Sequence, residues 1–162
     1  MSEIAMHKSF EISVDDLSDG QVIHLLELHL IEMHKHSPAE SVHALDVDAM
    51  HAANLTFWRA DDSQGRLAGC AALKDLGDAH VELKSMKVAD AFRGQGLGRI
   101  LMQYLIDHAR EHGIKRMSLE TGSMDAFIPA RTLYQSVGFK ECAPFANYKV
   151  DVNSVCMTLE FE

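Results

Sequence analysis

One segment limits what this chain can fold into more than any other: V-A-D-A-F-R-G-Q-G-L-G-R, residues 88–99. A strand-like run from Val81 to Val88 leads into it, glycines stand at 94, 96 and 98, and an amphipathic pattern begins at once. Leu97, Ile100, Leu101, Tyr104, Leu105, His108 and Ala109 recur at helical spacing, and Gly113 stands where a left-handed residue would end the helix. Met117, Leu119 and Thr121 then alternate as a further strand. Strand, turn, helix and strand make one βαβ crossover, the unit in which open α/β sheets bind ligands. The three glycines remove the β-carbons that would keep a ligand from the backbone. Free N–H groups and the positive end of the helix dipole converge there, which suits a phosphate. Arg93 and Arg99 flank the turn, so a pyrophosphate fits best. Arg99 stands where the dinucleotide fingerprint needs its third glycine, and a Gly-Lys-Ser/Thr run is absent.

The remaining patterns extend this unit to a single mixed α/β domain over residues 1–162. Phe10, Ile12 and Val14 alternate as a first strand. Ser18 and Gln21 have capping-box spacing ahead of a helix carrying Ile23, Leu26, Leu30 and Met33, which Pro38 stops. Glu40 to His51 reads as a second, shorter helix. Leu55–Arg59 and Arg66–Leu73 form a hairpin around an Asp/Ser/Gly turn, and the second run is apolar enough to be covered on both faces. Pro129 opens a short helix that Gly138 ends, and Val155 to Phe161 alternate as the last strand. The expected order is β-α-α-β-β-β-α-β-α-β-β.

Composition narrows the function. The 162 residues are 47% hydrophobic and 24% charged, an ordinary globular mixture. A net charge of −9 disfavours nucleic acid and anionic membranes as partners. No apolar run approaches a membrane span, and Met1–Lys8 has no signal-like apolar core. Cys70, Cys142 and Cys156 are odd in number and at no ligand spacing, as expected of reduced thiols in a cytoplasmic protein. The histidines show no zinc-ligand spacing, so no metal is expected. His29, His34 and His36 read as a surface helix face.

Arg93-x-x-Gly96-x-Gly98 resembles the Q/R-x-x-G-x-G/A signature of the GNAT N-acetyltransferases, and Leu133-Tyr134-Gln135-Ser136-Val137-Gly138-Phe139 resembles that family's L-Y-x-x-x-G-F segment. The element order agrees, so the resemblance covers essentially the whole chain. The segment from His36 to Leu45 is similar to bacterial small-molecule members.

The resemblance implies a GNAT-like fold with a splayed central strand pair and acetyl-CoA as acetyl donor. Backbone groups of Met86, Lys87 and Val88 would pair with the pantetheine arm. The turn Arg93, Gly94, Gln95, Gly96, Leu97, Gly98 and Arg99 would hold the pyrophosphate. Tyr134 matches the family's general-acid tyrosine, able to protonate the departing thiolate. Glu82 stands where a carboxylate often acts as base, directly or through water, and Glu120 on the neighbouring strand competes for that role. Ser37, Ser41 and His43 would belong to the acceptor wall. Lys84 either joins them in holding an anionic group of the acceptor or pairs with a nearby carboxylate. Arg131 either does the same or binds the 3′-phosphate of CoA.

The expectation is therefore an acetyltransferase acting on the amine of a small molecule, one that carries a carboxylate, by direct transfer in a ternary complex. A silent acyl-CoA-binding module and a protein N-acetyltransferase are the rivals. A homodimer is left open. Retention of Tyr134 favours an enzyme.

Overall fold

The structure is a computed structural model and describes residues 4–7, 9–38, 41 and 48–161. Eight strands form one sheet: β1 Ile4–His7, β2 Phe10–Asp15, β3 Leu55–Asp61, β4 Leu67–Gly77, β5 His80–Val88, β6 Arg116–Gly122, β7 Lys140–Cys142 and β8 Ser154–Glu160. Their order across the sheet is β1-β2-β3-β4-β5-β6-β8-β7. Every neighbouring pair is antiparallel except β5 and β6, the two strands joined by the crossover. Three helices pack on it: α1 Gln21–His36, α2 Leu97–Glu111 and α3 Ile128–Ser136.

Side-chain alternation sorts the core into two layers. Phe57, Cys70 and Ala72 face one side of the sheet and pack with Val22, Leu25 and Leu26 of α1. Trp58, Ala71 and Leu73 face the other, against Leu101, Met102 and Leu105 of α2. Ala68 to Leu73 are all buried, which is why that run carries no polar alternation. Gly113 and Gly138 lie in the left-handed region, and Ile114 N–H donates to Ala109 O while Phe139 N–H donates to Tyr134 O, so both helices end as their glycines imply.

Three local expectations change. A short strand, β1, precedes the first one read from sequence and pairs with it as a hairpin. The cap of α1 is not Ser18: Gly20 occupies the cap position at φ 78°, and Asp19 Oδ1 accepts the Gln21 N–H at 3.0 Å. The Arg59 guanidinium reaches from β3 to Asp19 and Gln21, both at 2.6 Å, so a tertiary contact fixes this helix start. The second helix is seen only as a 3₁₀ turn at Ala49–His51, and residues 42–47 lie outside the described residues.

Candidate active site

The site begins with an irregularity in β5. Cys70 pairs with Lys87 and Ala72 with Lys84, so between these pairs one residue of β4, Ala71, opposes two of β5, Ser85 and Met86. The extra residue bulges at Ser85, whose φ is 56°, and the Cys70 thiol donates to the Ser85 carbonyl at 3.4 Å. On its other side β5 pairs with β6 only through His80–Arg116, Val81–Met117 and Glu82–Ser118. Beyond Glu82 the two strands separate, and a cleft opens between them.

The cleft has two halves that share His29, Met33, Met86, Phe127, Ala130 and Tyr134. One half, about 570 Å³, is lined by Met86, Lys87, Val88, Arg93 and Gly98, and by Leu133 and Pro129 of α3. Gly98 packs closely here: a β-carbon on it would stand 3.1 Å from Leu133 Cδ2 and 3.6 Å from Met86 Cε. Gly96 caps α2 at φ 79° with open space on its β-carbon side, and no side-chain hydrogen bond caps the helix start. Arg93 is exposed and pairs with Asp90 at 2.8 Å. The Arg99 Nη2 donates to Ser136 Oγ at 2.7 Å, tying α2 to α3. Leu97 contributes only backbone, because its side chain is buried in the core. These features fit an extended thiol ester with a pyrophosphate at its end: a groove beside the bulged strand, closed by a glycine turn on a helix N-terminus.

The other half is polar at its base. It is lined by Glu82, Lys84, Ser85, Glu120, Thr121, Tyr134 and Tyr148. Glu82 is buried at 3% exposure, and its Oε2 accepts the Tyr148 hydroxyl at 2.5 Å and the Lys84 ammonium at 3.3 Å. Lys84 Nζ also donates to Tyr148 Oη at 3.1 Å. Glu120 is half-buried in the same hollow. Burial pushes its carboxyl up to about 7, partly opposed by the Lys84 charge. The Tyr134 hydroxyl is pushed up to about 12, chiefly by burial and then by the Glu120 charge. A phenol held there keeps its proton at neutral pH and can give it away.

The residues expected to gather around an acceptor anion do not converge. Lys84 is spent on Glu82 and Tyr148. The Arg131 Nη1 donates to the carbonyls of Gly122 and Met124, at 2.5 and 3.3 Å, and lines neither half of the cleft. It therefore fastens the loop between β6 and α3. Ser41 is buried and donates to Asp151 Oδ2 at 2.6 Å. Ser37, at the end of α1, lines neither half, and His43 lies outside the described residues.

Two residues of the cleft were not singled out by sequence reasoning. Tyr148 belongs to no motif; only its hydroxyl, which needs a partner when buried, sets it apart. His29 was read as surface, yet it follows Leu25 and Leu26 by one helical turn and precedes Met33 by another, a spacing that marks the inward face. Its Nδ1 is buried without a hydrogen-bond partner. Desolvation, then the Lys87 charge, lowers the imidazole to about 4, so it is neutral at pH 7. Among the described residues no group of three or more His, Cys, Asp or Glu side chains could hold a metal, and no helix is long and apolar enough to cross a membrane.

Comparison with known proteins agrees with this geometry. The Acetyltransferase (GNAT) family model matches residues 22–139. An uncharacterised N-acetyltransferase of Bacillus subtilis (strain 168), YsnE, is 46% identical over 147 residues, 91% of this chain and 97% of its own. Another from Escherichia coli (strain K12), YedL, is 38% identical over 150 residues, covering 93% and 94% of the two chains. Among solved structures, one from Klebsiella pneumoniae subsp. pneumoniae has a TM-score of 0.79 at 24% identity and covers 93% of this chain and 97% of its own. A Bacillus subtilis acetyltransferase solved in complex with CoA has a TM-score of 0.70 at 21% identity, over 93% and 98%. The bulged β5, the open β5–β6 pair, the glycine turn and the sequence match over most of the chain lead to one conclusion: this protein belongs to the GNAT family of acetyltransferases.

Proposed function

We propose that the chain, read as one domain over residues 1–162, moves the acetyl group of acetyl-CoA onto the amine of a small molecule, by direct transfer with both substrates bound. The observation that carries this reading is the position of Tyr134, which lines both halves of the cleft, between the glycine-turn half and the carboxylate half. The CoA bound to the similarly folded Bacillus subtilis acetyltransferase supports the same use of the larger half.

Acetyl-CoA, when bound, supplies a thioester whose carbonyl carbon accepts the amine and whose thiolate departs. The turn from Arg93 to Arg99 would hold the pyrophosphate through backbone N–H groups, and Met86, Lys87 and Val88 would flank the pantetheine arm. Tyr134 holds its proton at Oη and would pass it to the departing sulfur. An ammonium with an ordinary pKa of about 10.4 must lose a proton before it can attack. Of the two carboxylates, Glu82 already accepts hydrogen bonds from Tyr148 and Lys84. Glu120, whose pKa is raised toward the working pH, fits the base better, directly or through water.

Thiol release from acetyl-CoA, followed across a panel of amines and peptides, tests the reading. The rate should follow an acid limb near pH 7, and Glu120→Gln should lower kcat by about 10²-fold and abolish that limb. Binding of acetyl-CoA without thiol release to any amine would leave a silent binding module instead. Preference for basic peptides over every small amine would make the chain a protein acetyltransferase.

A further inference from the structure

Resting on the acetyl-transfer reading, we propose that the acceptor half of the cleft selects amines that carry no carboxylate, and that Glu82, Lys84 and Tyr148 together enforce the choice. Among the described residues lining this half, Lys84 is the one permanent cation, facing the carboxylates of Glu82 and Glu120. Its ammonium lies 3.3 Å from Glu82 Oε2 and 3.1 Å from Tyr148 Oη, with its side chain 11% exposed. An acceptor carboxylate could recruit that ammonium only by pulling it from a buried carboxylate at 4% side-chain exposure, which would then lie uncompensated.

Among the described residues no other permanent cation lines this half. Arg131 is held by two backbone carbonyls. Lys87 and Arg93 belong to the glycine-turn half, and Lys149 lines a separate hollow with Glu141 and Asp151. Residues 39–47, A-E-S-V-H-A-L-D-V, contain no Lys or Arg and two acidic residues. His29 contributes a neutral imidazole, which can hydrogen-bond a hydroxyl or amide but brings no charge. With Glu120 ionised, the hollow carries net negative charge and repels a carboxylate while drawing in an ammonium. Met33, Leu119 and Phe127 supply apolar wall for the rest of the acceptor.

The test uses acceptor pairs that differ in the carboxylate: 3-methylbutylamine against leucine, and phenylethylamine against phenylalanine. The wild-type chain with acetyl-CoA should show kcat/KM roughly tenfold or more higher for the carboxylate-free member of each pair. Glu82→Gln frees the Lys84 charge and should erase most of that preference. Should that variant fail to fold, Lys84→Met serves instead and should leave the preference intact. Equal or better use of the free amino acids by wild type, or a selective rise in KM for them in Lys84→Met, would overturn the proposal. Thermal stabilisation of the CoA-bound chain by the same compounds gives a second readout independent of turnover. Stabilisation by the carboxylate-free amines alone without thiol release would keep this selectivity and remove the acetyl-transfer reading. Stabilisation by the acids would overturn the selectivity itself.

Discussion

Tyr148 donates its hydroxyl hydrogen to Glu82 Oε2 at 2.5 Å, across a sequence separation of 66 residues. This bond ties the chain between β7 and β8 to the last residue of β5 that still pairs with β6. It also gives the carboxylate expected as a base a second partner beside the Lys84 ammonium. Tyr148→Phe should remove a hydrogen bond to a buried charged group and cost about 1–3 kcal/mol in urea denaturation. Affinity for acetyl-CoA should hold, because Tyr148 lines only the acceptor half. An unchanged unfolding midpoint would show that this bond carries no stability.

Tyr134→Phe tests the acid. The ring stays against Phe139, at 6.0 Å between centroids, and only the hydroxyl is lost. Acetyl-CoA affinity from calorimetry should match the parent, while single-turnover acetyl transfer falls by about 10²-fold. Full turnover in the variant would exclude Tyr134 from the proton transfer.

Gly96→Val tests the phosphate turn. At φ 79° a side chain costs roughly 1–2 kcal/mol of backbone strain. That side chain would also stand beside the N–H groups that should meet the pyrophosphate. The variant should therefore unfold earlier, and acetyl-CoA, which raises the parent's Tm by binding the native state, should no longer raise it. A shift as large as the parent's would place the phosphate elsewhere.

Arg131→Met separates two roles for one guanidinium. If it only fastens the loop before α3 by gripping the Gly122 and Met124 carbonyls, the variant loses stability. The ratio of affinities for acetyl-CoA and its 3′-dephospho form should then stay at the parent value. Convergence of the two affinities would mean that Arg131 meets the 3′-phosphate after all.

His29 should leave a mark on acid stability. Its imidazole is lowered from the ordinary 6.5 to about 4, so between those values the unfolded chain binds a proton that the folded chain does not. Stability must then fall as pH drops from about 6.5 toward 4, and above 6.5 this group has no effect. His29→Gln should flatten the fall in Tm over that window, and a parallel pair of curves would refute it.

The crossover and its turn were legible because their signals are local. Helical spacing from Leu97 to Ala109, the stop at Gly113 and the glycines at 94, 96 and 98 each act within a few residues of backbone. The apolar run Ala68–Leu73 announced its own burial for the same reason. The cap of α1 was misplaced because Ser18 has capping-box spacing, whereas Gly20 takes the cap position and Asp19, which accepts the Gln21 N–H, is held by Arg59 arriving from β3. The face of α1 was read one step off because Leu28 and Ile31 are apolar yet 52% and 58% exposed, which blurs its periodicity.

Sequence alone determined the fold class and the glycine turn, because backbone freedom and side-chain period are properties of consecutive residues, and the L-Y-x-x-x-G-F resemblance marked the tyrosine at the junction. Tertiary structure decided the charge of the acceptor hollow. Glu82 and Lys84 share a strand face in any reading, but whether each is open or spent depends on Tyr148, 66 residues away from Glu82. The two backbone carbonyls that Arg131 Nη1 meets likewise come to it only through the fold. A buried charge takes the partner that distance and desolvation leave it, and that partner is fixed only when the chain has closed around the site.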